Sequence, residues 1–547
     1  MKIKTRFGIS LVSGLLLSFL LALPQNEPVI LAEDRKAGLK KNSFVEIPKL
    51  NANGPTRRPN IIVIMTDEHD PGVTGCYGDK IVRTPNLDQL AREGIRFDAC
   101  YTASPLCAPA RNAFTSGKFI SRISAWNNSC WIEDDLIQSL PRLLNEAGYQ
   151  SYLCGKMHFD STKRYGFTEV GSFNKDFKTG TGKRRSYDDK KVDLQSWQER
   201  TATFYTAETS GGMKYDRKVT ELATRFLKEQ VGQKEPFYLQ IGYITPHFPL
   251  IAPEELYRHY QGKVPMPLIP AGFLEQQTTN YQQLRRGFGY IDQDPATVQK
   301  GRELYWALTE WMDSEVGRLL KSIEECGLDD NTVIVYTSDH GENKGDHGMW
   351  WKNTMYEQSA RVPLIIRYPE RWPGGQVRQG VCSHLDLVAT LAEIAGAKKP
   401  QDWDGDSMLS YLDNEKIPWK NWAVSEYYAH NIASGFTMYR EGSFKYVYHN
   451  RFDEEHPGEA ELYDLTQDPG EFHNLAKLAQ WQPKVREMHA KLIRVLGEEP
   501  DRIEIRCRQE LAKGYGRKKP VSNEKSASDL KKKRKKPKNE AAVDIKN

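Results

Sequence analysis

Runs of apolar residues that close on ionisable ones recur along this chain. Asn60-Ile61-Ile62-Val63-Ile64-Met65 passes into Thr66-Asp67-Glu68-His69. A run without polar alternation predicts a strand buried on both faces, as in a parallel sheet. Residues 237–244 lead in the same way into Thr245-Pro246-His247, and residues 332–337 into Ser338-Asp339-His340-Gly341. Residues 150–154 lead into Gly155-Lys156-Met157-His158. Helical spacing fills the intervals over residues 84–94, 136–148 and 302–327, the first with Pro85 early and Gly94 as a stop. Alternating β and α elements predict an α/β fold, a helix–sheet–helix sandwich around a mostly parallel central sheet. Sites in open α/β sheets lie beyond the carboxyl ends of the strands. The four polar tips are therefore expected to converge on one crevice.

Past about residue 415 the texture changes. Short segments at 436–440, 444–448 and 461–465 surround the turn Glu441-Gly442-Ser443 and predict a small antiparallel sheet, with residues 483–496 as a packing helix. The expected organisation is a signal peptide and processing region over 1–32, a linker over 33–57, a main α/β domain over 58–415, an α+β subdomain over 416–510 and a tail over 511–547. The basic start Met1-Lys2-Ile3-Lys4-Thr5-Arg6 and the apolar residues 7–23 predict a secretory signal, cut after Ala22 or Ala32. That implies export to the periplasm or the exterior. The competing reading is an uncleaved anchor, although ~17 apolar residues sit at the short limit for spanning. No later run suits a bilayer, so no transmembrane helix is expected in the mature chain.

Composition describes a water-soluble globular protein, with 39% hydrophobic and 27% charged residues in 547. The net charge of +5 hides an asymmetry. Residues 513–547 hold thirteen Lys or Arg against four Asp or Glu, leaving the rest mildly acidic. The run Lys531-Lys532-Lys533-Arg534-Lys535-Lys536 predicts a disordered tail, either simply solvated or attracted to polyanions. Export argues against a specific nucleic-acid partner. Eight cysteines show no Cys-x-x-Cys spacing; some can pair in an exported protein, but the sequence does not set the connectivity.

Candidate chemistry gathers at the strand tips and at one helix start. Cys107-Ala108-Pro109-Ala110-Arg111 opens a predicted helix, whose free N–H groups and positive dipole end are expected to lower the thiol pKa. Asp67-Glu68 and Asp339-His340 offer hard oxygen ligands and one imidazole, suited to Ca²⁺ or Mg²⁺. Each pair taken singly is equally a turn or helix cap. Lys156 offers a point charge for an anionic ester, with His158 on the same side of an extended segment. His247, between two prolines, suits proton transfer near neutral pH. Trp350 and Trp351, immediately before Lys352, can stack on a sugar or aryl group or simply fill the core.

Cys107-x-Pro109-x-Arg111, Gly155-Lys156-Met157-His158, Pro246-His247-Phe248-Pro249 and Thr337-Ser338-Asp339-His340-Gly341-Glu342 together resemble the signatures of the type I, formylglycine-dependent sulfatases of the alkaline-phosphatase-like superfamily. Gly345-Asp346-His347-Gly348, Lys352 and Arg361-Val362-Pro363 extend the resemblance, as does Leu462-Tyr463-Asp464-Leu465 with Asp468-Pro469-Gly470-Glu471. It spans about residues 58–498. The resemblance implies that a maturation enzyme converts Cys107 to formylglycine, whose hydrated aldehyde attacks sulfur. It implies a Ca²⁺ site, with Mg²⁺ as the alternative, at Asp67, Glu68, position 107, Asp339 and His340. Arg111 would hold the nucleophile loop, Lys156 and Lys352 the sulfate, His158 would help expel sulfate, and His247 would protonate the departing alcohol. Glu68 and His340 depart from the commoner Asp-Asp and Asp-Asn pairs; Asp-His resembles choline-sulfatase-like and phosphonate-monoesterase-like branches. His69 is then a candidate pocket-wall or substrate residue. The expected substrate is a sulfated carbohydrate, on the strength of export, the basic tail and Trp126, Trp131, Trp350 and Trp351. Choline or aryl sulfates, phosphonate or phosphate esters, and a non-catalytic glycan-binding role are the alternatives.

Overall fold

The computed structural model describes residues 58–160, 162–173 and 183–514. The expected signal peptide, the whole of the linker and the polybasic run lie outside the described residues.

Fifteen strands are described. They are β1 (Asn60–Asp67), β2 (Ile95–Tyr101), β3 (Gln150–Gly155), β4 (Thr168–Glu169), β5 (Tyr205–Thr206), β6 (Phe237–Pro246), β7 (Ile251–Ala252), β8 (Thr332–Ser338), β9 (Arg361–Arg367), β10 (Gln376–Arg378), β11 (Cys382–Ser383), β12 (Trp422–Tyr427), β13 (Phe436–Glu441), β14 (Phe444–His449) and β15 (Glu459–Asp464). The main sheet runs β10-β2-β9-β8-β1-β6-β3-β4, with β11 beside β2. β9 alone is antiparallel to its neighbours; the other pairings are parallel.

The unbroken apolar runs are explained by burial on both faces. In β1, Ile61, Val63 and Met65 enter one core while Ile62 and Ile64 enter the other. Val333 and Val335 of β8 likewise face the first core, and Ile334 and Tyr336 the second. Helices Cys107–Ser116, Leu140–Glu146 and His384–Ile394 supply side chains to the first; Pro85–Glu93, Gly211–Gln230 and Pro295–Glu325 cover the second. Each fully buried aliphatic side chain contributes about 1.5–3 kcal/mol. A polar alternation would have left one face without a partner.

Two helix boundaries differ from expectation for readable reasons. The 136–148 segment is helical only from Leu140, because Ser139 caps the helix and Pro141 sits in its first turn. The long helix starts at Pro295 rather than 302, with the Asp294 carboxylate accepting from Thr297 N–H. A further helix, Pro500–Ala512, was not foreseen. The small sheet is β12-β13-β14-β15, antiparallel, and helix Gln482–Leu496 packs Met488, Leu492 and Leu496 with its Tyr439, Tyr446 and Leu462. Its other face puts Phe436, Met438 and Val447 in a cluster with Tyr101, Leu106 and Trp351, next to the carboxyl ends of the main strands.

Candidate active site

Four neighbouring strands, β8, β1, β6 and β3, carry the four ionisable tips. Thr66 pairs with Ser338, so Asp67 and Asp339 leave adjacent strands at one level. Asp67 lies opposite Pro246, which precedes His247. Gly155 lies opposite Gly242, and Lys156 N–H donates to the Gly242 carbonyl at 2.9 Å. A Cβ on Gly242 would stand 1.9 Å from the Lys156 carbonyl oxygen, so glycine is required for the two chains to approach. Glu68 adopts φ 69°, a conformation that costs a non-glycine residue of order 1 kcal/mol and turns the chain sharply at the strand end.

Cys107 arrives from the other side, at the first position of the helix Cys107–Ser116, and is 1% exposed. Pro109 fits this first turn because its missing N–H has no helical partner there. Asn128 Oδ1 accepts from Ala108 N–H at 3.0 Å. The Cys107 sulfur lies 3.2 Å from His340 Nε2, 3.2 Å from Lys352 Nζ and 3.6 Å from Asp67 Oδ1. Beneath it, the fully buried Arg111 donates to Asp339 Oδ2 at 2.7 Å, to the Lys156 carbonyl at 2.6 Å and to the Thr66 carbonyl at 3.1 Å. Arg111 thus ties three strand tips together.

Donor atoms of Asp67, Cys107, Asp339 and His340 lie within 4.8 Å of one another. Glu68 falls in a second, overlapping group with Asp67 and His247. Its carboxylate is fully buried and receives no well-formed hydrogen bond; Lys352 Nζ and His247 Nε2 each stand 3.4 Å away. Burial pushes Glu68 up to about 8, against the pull of Lys352. A buried, under-satisfied carboxylate beside two others is a donor set that fits a hard divalent cation. Asp67 is also ion-paired to Lys156.

The expected low thiol pKa is not found. Burial raises Cys107 to about 11, and the pull of Lys352 is opposed by Asp339 and Glu68. Burial is the largest influence and outweighs the pull of Lys352, so an unmodified thiol here stays protonated near neutral pH. Burial also pushes Asp339 up, but Arg111, His340 and the two lysines hold it below the usual carboxylate range. His340 is lowered to about 3 and His247 well below its ordinary value, first by burial. Both imidazoles are therefore neutral.

Cys107, Lys156, His158, His247, Lys352 and Trp351 line one cavity of about 360 Å³, together with Asn128, Arg200, Phe248, Phe288, Asn353 and His430. His69 does not line it. His69 is buried in the sheet, hydrogen-bonded to Tyr336 Oη at 2.7 Å and to the Val73 carbonyl at 3.2 Å, so the pocket-wall reading is corrected. Trp126 and Trp350 are fully buried core residues, and of the four tryptophans only Trp351 lines the cavity.

Sequence reasoning missed Asp216, Arg200 and Tyr305. Asp216, inside helix Gly211–Gln230, accepts from Ile244 N–H at 2.7 Å, Thr245 N–H at 2.8 Å and Thr245 Oγ1 at 2.6 Å, and so fixes the segment that carries His247. Tyr305 Oη donates to the Glu68 carbonyl at 2.7 Å. Neither sits in a motif; both are polar positions on helices whose other residues make the core. All eight cysteines are free thiols.

The sulfatase family model matches residues 59–397, and the model of the N-sulphoglucosamine sulphohydrolase C-terminal region matches residues 345–498. An N-acetylglucosamine-6-O-sulfatase of Bacteroides thetaiotaomicron is 30% identical over 501 residues, covering 79% of this chain and 85% of the relative. A choline-sulfatase of Rhizobium meliloti is 30% identical over 440 residues, covering 77% and 83%. A solved protein in complex with its substrate D-glucosamine-2-N,6-O-disulfate superposes with a TM-score of 0.64 at 26% identity, over 81% of this chain and 99% of that one. Helices on both sides of a mostly parallel sheet, a cysteine at a helix start facing the strand tips, and matches over most of the described residues agree: this chain belongs to the sulfatase family of the alkaline-phosphatase-like superfamily and is a sulfuric ester hydrolase.

Proposed function

We propose that the protein is an exported sulfatase that removes sulfate from carbohydrates, with a formylglycine made from Cys107 by a maturation enzyme and with a bound Ca²⁺. The observation that carries this reading is the placement of the Cys107 sulfur, 3.2 Å from both Lys352 Nζ and His340 Nε2 and at the floor of the cavity that His247 and Lys156 also line. Asp67, Glu68, Asp339 and His340 would hold the cation, next to position 107. The cation and the aldehyde hydrate would supply Lewis-acid polarisation of sulfate oxygens and the oxygen nucleophile, respectively.

The chain's own groups do the rest. Lys156 and Lys352 flank position 107 and meet the charge of the sulfate oxygens. Arg111 stays beneath, holding Asp339 and the Lys156 backbone in place, and touches no substrate. His247 is neutral, so the proton it would pass to the departing alcohol is the one that its Nε2 would take from the hydroxyl of the aldehyde hydrate on attack; its Nδ1 lies 2.6 Å from the Phe248 carbonyl, which assigns Nδ1 as donor and leaves Nε2 to face the reaction. His158 lines the same wall and is positioned to move a proton when sulfate leaves. The division into a catalytic domain over 58–415 and a subdomain over 416–510 completes this reading, the second closing the cavity through His430. The carbohydrate substrate is supported by the sulfated glucosamine named for one superposed protein and by the glucosamine sulfatase named as a relative.

Intact mass and peptide mapping of the exported protein test it. The peptide containing position 107 is expected about 18 Da lighter than its cysteine form, and Cys107→Ala is expected to abolish sulfate release from sulfated sugars at unchanged thermal stability. Full activity in Cys107→Ala overturns the reading.

A further inference from the structure

One cation in the cavity wall is left over once sulfate has been provided for. Arg200, in the last turn of the helix Leu194–Thr201, is boxed by three rings. Its guanidinium carbon lies 4.3 Å from the centre of Trp351, 4.7 Å from Phe248 and 5.2 Å from Phe288. Rings cover the faces of a guanidinium but cannot accept its in-plane N–H bonds. Among the described residues Arg200 has no carboxylate within ion-pair distance and no hydrogen-bond acceptor for its side chain, and none of the residues lining the cavity is an Asp or Glu. The buried Trp351 indole N–H has no acceptor either. Most other half-buried or buried arginines near the site are committed: Arg111 to Asp339, Arg302 to Asp346, Arg361 to Glu357.

The box also adjoins the reacting centre. Phe248 is in contact with both cations, its ring centre 5.8 Å from the Lys352 ammonium and 4.7 Å from the Arg200 guanidinium. Lys352 is engaged at position 107 while Arg200 has no contact there, so Arg200 lines the same cavity with its fork free for another group on the same sugar or its neighbour. His430 lies on the same wall, edge-on to Phe288, and is neutral because burial, then Arg200 and Lys352, lower it to about 4; it can donate or accept toward a hydroxyl. A planar guanidinium held between rings with its edge free is pre-organised for bidentate recognition of an oxyanion.

We propose that Arg200, in its Trp351–Phe248–Phe288 box, is a subsite for a second anionic group of the substrate, making the preferred substrate a sugar that carries another sulfate or a carboxylate besides the sulfate removed. This rests on the reading of the cavity as the sulfatase site. Its test is equilibrium binding by calorimetry, with Ca²⁺ present, in a Cys107→Ala background that prevents turnover. Three probes are compared: N-acetylglucosamine 6-sulfate, glucosamine-2-N,6-O-disulfate and a monosulfated disaccharide with a uronate. The dianions are expected to bind more tightly, and Arg200→Gln is expected to weaken them by about 10- to 100-fold while changing the monosulfated sugar by less than about threefold. The difference between the disulfate and the uronate shows which anion the fork prefers. Equal loss for all three sugars, or no preference for the dianions before substitution, overturns the subsite. Sulfate release from the same sugars, measured with Cys107 intact, reports separately on the sulfatase reading: release without an Arg200 effect removes only the subsite, and Arg200-dependent binding without release removes only that reading.

Discussion

Asp216 provides a prediction in which geometry and titration pull in known directions. Its two oxygens accept three hydrogen bonds from Ile244 and Thr245, two residues before His247, and it is fully buried. In Asp216→Asn one oxygen becomes an amide that faces the Thr245 N–H, donor against donor. The Thr245 hydroxyl can rotate to accept, but the N–H cannot, and an orphaned buried N–H costs about 1–3 kcal/mol. Burial raises Asp216 from 3.8 to about 7, against the Thr245 and Ile244 hydrogen bonds that lower it. An acid with a raised folded pKa contributes stability that is full below its unfolded value and is lost as pH climbs through the folded one. Within that window the loss is about 1.4 kcal/mol per pH unit, and Asn cannot show it. The thermal-midpoint advantage of wild type over Asp216→Asn should therefore be greatest near pH 4 and fall steadily up to pH 7, far enough to reverse sign because that window removes about 4 kcal/mol against the amide's cost of about 1–3 kcal/mol, then stay level. Sulfate release should also fall, more for poor leaving groups than for good ones, since a 1 Å displacement of a reacting group costs about 100-fold. A gap that is flat from pH 4 to 8 would refute the assignment of Asp216 as a buried, largely protonated anchor. Equal losses across leaving groups would refute its action through His247.

Two further outcomes follow from buried charge. Lys445, fully buried in β14, pairs with Glu357 and Glu471 at 2.6 Å each and donates to the Met355 carbonyl at 2.9 Å, joining the small sheet to the loop after Lys352. Lys445→Met should lower stability by about 3–5 kcal/mol in denaturant titrations at pH 8, and less below pH 6, where Glu471, raised by burial to about 7, is protonated. Chelation of divalent ions should lower the thermal midpoint, and Ca²⁺ at a hundred times its dissociation constant should return about 2.7 kcal/mol; Mg²⁺ at the same concentration reports which ion the donor set prefers, and a midpoint indifferent to both argues against a cation there.

The fold and the strand-tip residues were legible because both depend on short, local patterns. Unbroken apolar runs can only be satisfied by a sheet covered on both faces, and β1 and β8 divide their side chains between two cores as that pattern demands. The direction of the Cys107 shift was not legible. A helix start and a nearby arginine can be read from neighbouring letters, but the full burial of the thiol, the largest cause of its raised pKa, and the carboxylates of Glu68 and Asp339 come from tertiary packing, and Arg111 turns away to Asp339. His69 looked like a pocket residue because it follows Glu68; the left-handed turn at Glu68 sends the next side chain back under the sheet. Asp216 and Arg200 left no trace, since each sits on a helix whose periodicity describes its packing and not the contacts of one polar position. The start of the long helix, by contrast, is local chemistry, with Asp294 as its cap and Pro295 in its first turn.

The charges at the site explain why lysines alone are not enough there. Asp67, Glu68 and Asp339 face Arg111, Lys156 and Lys352, with the neighbouring histidines neutral. Burial holds Glu68 protonated and lowers Lys156 to about 7, so the carboxylates of Asp67 and Asp339 face two full cations and one partial one, which leaves little surplus for an arriving sulfate ester. At about 4 Å and an effective dielectric near 20, one unit charge is worth about 4 kcal/mol, so an anion entering this balanced set meets attraction and repulsion of similar size. Ionising Glu68, which burial holds protonated to about 8, would make matters worse unless positive charge entered with it. A divalent ion among Asp67, Glu68, Asp339 and His340 would do both things at once: it would let the carboxylate ionise and would leave the pocket with net positive charge. Arg200 lies outside this compensated set and has no carboxylate of its own, so the attraction it exerts on a substrate is not offset by the protein.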